Sequence, residues 1–224
     1  MIAAAFQWIA DSANWAGDAG IWARLVQHLL FTLAVAAVSA VVALPIGVAI
    51  GHTGRGRAIV TLATGAARAL PTLGLLTLLA LVLGVGLGAP FLALVVLAFP
   101  SLLAGAYSGI ESADDAVVDA ARALGMTEWQ VIARVELPAA FPIIMGAFRT
   151  CVLQVAATAT LAAYTSDVGL GRFLFAGMKT SHYEVMVGSA LLVVALTLLL
   201  DLLLAGSQRL AERKSSTLAA RATP

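Results

Sequence analysis

Charged residues are what this sequence has least of. Only 11% of the 224 residues are charged and 61% are hydrophobic, whereas about 25% of the residues in an ordinary soluble domain are charged. The 13 basic and 12 acidic side chains nearly cancel and leave a net charge of +1, so the chain lacks the basic surface by which proteins bind nucleic acid. The composition therefore excludes an ordinary soluble domain and a nucleic-acid-binding protein, and it indicates an integral membrane protein.

Disulfides, metal-binding spacing and catalytic motifs are also missing. Cys151 is the only cysteine, so no disulfide can form within the chain. The three histidines, His28, His52 and His182, show no spacing with carboxylates or cysteine that is typical of a metal site. No phosphate-binding loop, His-Glu-x-x-His or Gly-x-Ser-x-Gly pattern occurs. We therefore predict no metal, no cofactor and no catalytic residue in this chain.

Long uncharged runs predict the membrane spans. Thirty uncharged residues separate Arg24 from Arg55, and 42 separate Arg68 from Glu111. Because about 20 helical residues cross the hydrocarbon core, the first run holds one span and the second folds as a hairpin at the glycine-rich residues 84–90. We expect an all-α polytopic domain over residues 25–208, with five spans at residues 25–50, 58–83, 90–110, 141–164 and 185–204.

The distribution of basic residues predicts the orientation, because cytoplasmic segments of membrane proteins are enriched in Lys and Arg. Eight of the 13 basic residues fall on one side if the loop at Gly54 is cytoplasmic. They are Arg55, Arg57, Arg122, Arg134, Arg209, Arg213, Lys214 and Arg221. We therefore predict an N-terminus outside the cell membrane and a cytoplasmic tail at residues 209–224.

The N-terminal segment, residues 1–24, is predicted to lie at the outer surface of the membrane. Trp8, Trp15 and Trp22 recur every seven residues, which places them on one stripe of a helix, and tryptophan favours the membrane interface. No basic residue precedes the apolar stretch, so we expect no cleaved signal peptide. The alternative is a loosely ordered terminus, because Asn14, Gly17 and Gly20 weaken a helix.

The one long polar stretch, residues 111–138, holds eight charges and is predicted to form a helical hairpin outside the lipid. Residues 114–124 read as an amphipathic helix. Its apolar face holds Val117, Ala120, Ala121 and Leu124, and its polar face holds Asp115, Asp119 and Arg122. Gly125 is predicted to end this helix in a left-handed conformation. Thr127 and Gln130 have the spacing of a capping box, and they begin a second helix that we expect to end at Pro138.

This hairpin resembles the coupling signature of permease subunits of bacterial binding-protein-dependent ABC importers. That signature is Glu-Ala-Ala, three residues, Gly, nine residues and Ile-x-Leu-Pro. This chain has Asp119, Ala120, Ala121, Gly125, Val135, Leu137 and Pro138 in the same register. Asp119 replaces the usual Glu and Val135 the usual Ile. The resemblance implies that the hairpin docks on a cytoplasmic ATPase. The alternative is an ordinary membrane-protein hairpin, which also needs small residues, a glycine and caps.

Three further motifs are similar to the permeases of osmoprotectant importers, which carry glycine betaine, carnitine, choline or proline. They are residues 68–73, residues 100–110 and residues 158–171. The resemblance extends from about residue 25 to residue 204. It implies the type I importer fold of the methionine importers, a second permease subunit, an ATPase dimer that binds ATP and Mg, and an extracytoplasmic substrate-binding protein. The alternatives are another cargo, such as methionine, and a non-transporting membrane scaffold.

Two groups of residues outside the hairpin are candidates for functional roles. Arg68, with Pro71 three residues later, lies within a predicted span, where a charge lines a cavity, pairs or snorkels to the interface. Arg68 either lines the translocation pathway or braces a kink beside it; the alternative is that it snorkels or braces the kink without touching substrate. Residues 165–184 are predicted to be external, and by resemblance they meet the binding protein through Asp167, Gly169, Gly171 and Arg172; the alternative is a solvated connector.

Overall fold

The structure, a computed structural model, describes the backbone of residues 1–222 and the side chains of residues 1–209 except 63, 67 and 68. The described residues form helices and connecting turns, with no β-strand among them. The α-helices are α1 Ile2–Ala10, α2 Ile21–Thr53, α3 Arg57–Ala69, α4 Thr72–Leu83, α5 Gly88–Glu111, α6 Asp115–Ala123, α7 Glu128–Val131, α8 Leu137–Thr158, α9 Gly171–Thr180 and α10 Tyr183–Ala222. Two 3-10 helices, Ser12–Asn14 and Ala159–Tyr164, and a π-helical segment, Ile132–Glu136, complete the set.

Four helical stretches within the described chain are long and apolar enough to cross a membrane. They are Ile21–Thr53, Gly88–Glu111, Glu128–Tyr164 and Tyr183–Arg209. These correspond to the first, third, fourth and fifth spans predicted from the sequence. Each begins earlier than predicted. The first, third and fifth differ by two to four residues at this end, because hydropathy locates the apolar centre of a helix better than its ends. The fourth begins at Glu128 because α7 continues into α8 through the π-helical segment.

The second predicted span, residues 58–83, is wrong as a single helix. The chain is broken at Leu70 and Pro71, so that α3 ends at Ala69 and α4 begins at Thr72. Proline has no N–H group to donate, and it disfavours the helical conformation of the residue before it. The 12 residues of α4 extend about 18 Å, which is shorter than the hydrocarbon core of about 30 Å.

The chain divides into two compact units, each assembled from three segments. The first unit comprises Met1–Val38, Ala69–Ala98 and Val152–Asp201. The second comprises Ser39–Arg68, Phe99–Cys151 and Leu202–Pro224. Helices α2, α5, α8 and α10 each contribute to both units.

The first unit encloses a core to which the N-terminal segment contributes. The buried residues of this core are Ile21, Leu170, Leu192 and Val193. Trp8 and Trp15 pack against them, and the Trp15 Nε1 group donates a hydrogen bond of 2.7 Å to the Ile9 carbonyl. Trp22 is exposed. The prediction of one tryptophan stripe is therefore wrong, because α1 ends at Ala10 and a 3-10 turn interrupts the helical spacing.

The second unit is held together by close contacts between glycines of α2 and side chains of α5. A Cβ atom placed on Gly47 would lie 2.6 Å from the Ala106 Cβ, and one placed on Gly51 would lie 2.7 Å from the Ile110 Cβ. Small residues permit this approach, which supplies the van der Waals packing between helices in lipid. The close packing fixes the C-terminal end of α2, where His52 lies, beside α5.

Candidate functional site

The corner of the hairpin is formed by a glycine-terminated helix. The Asp114 side chain caps α6 by accepting a hydrogen bond of 2.9 Å from the Ala116 N–H. At the other end Gly125 has φ +83°. The Gly125 N–H donates to the Arg122 carbonyl at 2.9 Å, and the Met126 N–H donates to the Ala121 carbonyl at 3.2 Å. This is the pattern of a Schellman motif, and it confirms the left-handed Gly125 predicted from the sequence.

The second helix of the hairpin begins with the predicted capping box. The Thr127 hydroxyl accepts from the Gln130 N–H at 3.4 Å, and the Gln130 amide oxygen accepts from the Thr127 N–H at 2.9 Å. The prediction that this helix ends at Pro138 is wrong. The chain continues from α7 through the π-helical segment into α8, with Pro138 in the first turn of α8. A proline is tolerated in a first turn because its missing N–H interrupts no bond there.

The hairpin has a small core of its own. Val118 and Ala121 on α6 pack against Val131 on α7, and all three are buried. Val135, one of the signature residues, packs against this core. Of the four residues on the apolar face predicted from the sequence, only Ala121 is buried in this core. Val117, Ala120 and Leu124 are exposed.

Several apolar side chains of the hairpin face solvent. Leu124 is 85% exposed and Trp129 is 73% exposed, and Val117 is also exposed. We call Val117, Leu124 and Trp129 the exposed apolar residues of the hairpin. Sequence reasoning assigned Val117 and Leu124 to an apolar face but gave no role to Trp129, although a tryptophan beside a capping box in a charged segment was a signal for a surface contact.

Ion pairs connect the two helices of the hairpin. The Arg122 Nη2 atom lies 3.2 Å from Glu128 Oε2, and the Arg122 Nη1 atom lies 3.4 Å from Asp119 Oδ1. The hydrogen bonds to Glu128 raise the pKa of Arg122. Asp119, one of the signature residues, thus has a cation within its own helix. An exposed pair of this kind contributes little to stability, so Asp119 remains accessible to a partner.

His52, at the end of α2, joins this network from outside the hairpin. Its Nδ1 atom lies 2.8 Å from Glu136 Oε2, and its Nε2 atom lies 3.1 Å from Glu128 Oε2. Beside it is a cavity of about 140 Å³, whose lining includes Glu111 and Arg57, which form an ion pair. Sequence reasoning missed His52 because 84 positions separate it from Glu136, and no local spacing reveals such a contact.

The remaining signature and kink residues lie at helix ends. Leu137 begins α8 and is half-buried, whereas Pro138 is exposed. Pro71 precedes the first residue of α4. Arg68 lies in the last turn of α3, and its side chain is outside the described residues.

The predicted external segment, residues 165–184, is partly helical, since it contains α9. Asp167 pairs with Arg172 at 2.8 Å and with the buried Arg24 at 3.0 Å. Gly169 and Gly171 are buried, so of the four residues predicted to contact a binding protein only Asp167 and Arg172 are exposed. These two line an open cavity of about 640 Å³ together with Tyr164, Phe175 and Lys179.

Comparison with known proteins identifies the family. Residues 42–217 match the family described as the inner membrane component of binding-protein-dependent transport systems. The chain belongs to this family. It is 32% identical over 183 residues to the glycine betaine/carnitine/choline transport system permease protein OpuCB of Bacillus subtilis, covering 82% of this chain and 84% of that protein. It is 29% identical to the osmoprotectant import permease protein OsmW of Salmonella typhimurium, covering 84% and 90%.

Solved structures agree on the fold. The inward-facing MetNI methionine ABC transporter has a chain that matches with a TM-score of 0.74 and 21% identity, covering 85% of this chain and 95% of that chain. The protein is therefore a multi-pass membrane permease component of an ABC importer. Membership of this family implies an ATPase in a separate subunit and a substrate-binding protein as partners.

Proposed function

We propose that this permease imports a small osmoprotectant such as glycine betaine, carnitine, choline or proline. The observation that carries the proposal is the set of relatives: permeases named for glycine betaine, carnitine and choline transport share 27 to 32% of their residues with it over about four fifths of the chain. Methionine is the alternative cargo. It rests on solved structures less than 25% identical, a level of similarity that bears on the fold and leaves the cargo open.

The hairpin formed by α6, α7 and the turn between them is the proposed contact with the ATPase. Its inner face is filled by Val118, Ala121 and Val131, so the exposed apolar residues of the hairpin are not needed to hold it together. Tryptophan and large aliphatic residues surrounded by charge are typical of the centre of a protein interface. The acidic Asp119 beside them favours a cationic partner residue.

In this proposal the chemistry belongs to the ATPase and the movement belongs to the permease. The N-terminus lies outside and the tail after residue 208 lies in the cytoplasm, which places the hairpin on the ATPase side. Closure of the ATPase dimer on ATP moves the two hairpins of a permease pair. Because the second helix of each hairpin continues into α8 without a break, a displacement of α7 is transmitted along the fourth span.

Reconstitution in vesicles tests the cargo and the coupling together. The permease is purified with its cognate ATPase and binding protein, and uptake of radiolabelled glycine betaine, carnitine, choline, proline and methionine is measured with ATP on the ATPase side. We expect ATP-dependent uptake of at least one of the four osmoprotectants and none with an ATPase variant that cannot hydrolyse ATP. Uptake of methionine alone would refute the cargo, and retention of the ATPase without ATP-dependent uptake of any solute would indicate a scaffold.

A further inference from the structure

His52 is enclosed by acidic groups of the hairpin. Its side chain is 9% exposed, and that of Glu136 is 6% exposed, whereas that of Glu128 is 59% exposed. Both carboxylates lie within 3.1 Å of a ring nitrogen, one at each side of the imidazole. Glu136 belongs to the π-helical segment, and Glu128 is the first residue of α7. A single side chain of α2 therefore contacts both ends of the segment that carries the coupling signature into α8.

The number of available donors determines which form of His52 satisfies these contacts. An ionised carboxylate only accepts hydrogen bonds, and a neutral imidazole donates from one nitrogen while the other accepts. Two carboxylates therefore require two N–H donors, which only the imidazolium supplies. A buried Glu136 also needs a compensating positive charge, because a buried carboxylate without one is costly. Charge and donor count both favour a cation at position 52.

Two other cations near His52 already contact carboxylates. Arg122 on α6 contacts Glu128 at 3.2 Å, and Arg57 on α3 forms an ion pair with Glu111 on α5. Asp115 also lines the cavity beside His52. The His52 ring thus faces Glu136, while Glu128 is shared between His52 and Arg122.

We infer that the His52 imidazolium is a positioning residue for coupling: it holds α7 and the π-helical segment against the end of α2, so that a movement of the hairpin reaches the spans. This inference rests on the proposed coupling role of the hairpin. Without the cation, Glu136 loses its partner and the start of α8 is free to move independently of α2. The ATPase then turns over with less transport for each ATP hydrolysed.

Two substitutions at one position separate charge from shape. His52→Gln keeps a hydrogen-bonding side chain but removes the positive charge. His52→Arg keeps the charge and supplies more than two donors, and the cavity of about 140 Å³ next to His52 gives the longer side chain room. Arg55→Gln is the control, because it removes a cation from the loop that follows α2. The Arg55 side chain is exposed and forms no hydrogen bond with the residues that the structure describes.

The measurement is the ratio of glycine betaine imported to ATP hydrolysed by the reconstituted complex, with the uptake normalised to inserted permease. We expect His52→Gln to lower the ratio about tenfold, which corresponds to the loss of about 1.4 kcal/mol of coupling. The glycine betaine concentration that gives half-maximal uptake stays unchanged. His52→Arg retains the ratio within about twofold of wild type, and Arg55→Gln retains it fully.

Each outcome decides the question. A wild-type ratio in His52→Gln overturns the inference, and equally low ratios in His52→Gln and His52→Arg overturn it as well, because shape rather than charge would then be required. A loss in Arg55→Gln equal to that in His52→Gln would assign the effect to the net charge of the loop. If wild type imports none of the osmoprotectants, the proposed cargo fails, and the ratio is measured with the solute that the binding protein delivers.

Discussion

Ala120 and Ala121 are adjacent signature residues with opposite environments, and replacing each by leucine separates the stability of the hairpin from its docking. Ala121 is buried against Val118 and Val131, and its carbonyl accepts the Met126 N–H that closes the corner. Ala120 is exposed. Ala121→Leu therefore inserts a larger side chain into the small core of the hairpin, whereas Ala120→Leu adds it to the surface.

The expected magnitudes differ accordingly. Inserting extra methylene groups into a packed core costs about 1–3 kcal/mol. The small core of Val118, Ala121 and Val131 contains no glycine next to which the larger side chain could fit. A destabilisation of about 2 kcal/mol raises the population of locally opened hairpin about thirtyfold. Ala120→Leu is expected to change the local stability by less than about 0.5 kcal/mol, because it creates no buried contact.

Cleavage by trypsin measures the opening of the hairpin, because Arg122 lies in α6 and Arg134 lies in the π-helical segment that follows α7. In the purified permease we expect Ala121→Leu to be cleaved at these two arginines at least tenfold faster than wild type, by the local-opening argument. Ala120→Leu is expected to be cleaved at the wild-type rate but to retain less ATPase during purification, since the added side chain lies on the proposed docking face.

Two results would refute this reasoning. Wild-type cleavage of Ala121→Leu would mean that Ala121 does not lie in the core of the hairpin. Full ATPase retention and uptake by Ala120→Leu would mean that the exposed side of α6 does not face the ATPase. Because the two variants add the same side chain at neighbouring positions, general effects of hydrophobicity or expression are matched between them.

Three further predictions concern other features of the fold. At Gly125, φ is +83° and nothing lies within 4 Å of a Cβ atom placed there. Because the left-handed conformation costs about 1–2 kcal/mol for most side chains, ATPase retention by variants at this position should fall in the order Gly, Asn, Ala, Val. Equal retention by the Asn and Val variants would contradict this prediction. In a Cys151→Ala background, Lys214→Cys should not be labelled by an impermeant thiol reagent in intact cells. Labelling would mean that the predicted orientation is wrong. Asp167→Asn, which leaves the buried Arg24 without its carboxylate, should lower the midpoint of thermal unfolding, whereas the exposed Asp18→Asn should not.

The corner of the hairpin was predictable because its chemistry is local. A left-handed glycine and a reciprocal pair of caps are determined by residues within a few positions of one another, and Gly125, Thr127 and Gln130 all adopt the expected roles. Four spans were predictable for a similar reason, since an uncharged run of sufficient length leaves few alternatives in a membrane. The break at Pro71 falls at the kink that the sequence predicts beside Arg68, and it has a local cause, because proline has no N–H group to donate.

Contacts between distant segments were not predictable. His52 meets Glu136 across 84 positions, and Asp167 meets Arg24 across 143. Neither pair shares a helix or a local motif, so their contact depends on how α2 packs, which the spacing of residues along one helix does not report. The N-terminal tryptophans were misread for the same reason, because Trp8 and Trp15 pack against residues of α2, α10 and the segment before α9.

The exposure of most of the apolar face of α6 strengthens the coupling proposal. A nine-residue helix makes about two and a half turns. Because small or apolar residues occupy most positions of α6 on all its sides, periodicity alone does not identify the buried side. Packing selects Val118 and Ala121 for the inside, where they meet Val131. Leu124 is left exposed although the hairpin does not need it there for folding, and polar residues at that position would serve solubility better. An apolar residue kept at the surface of a water-facing corner favours a protein partner.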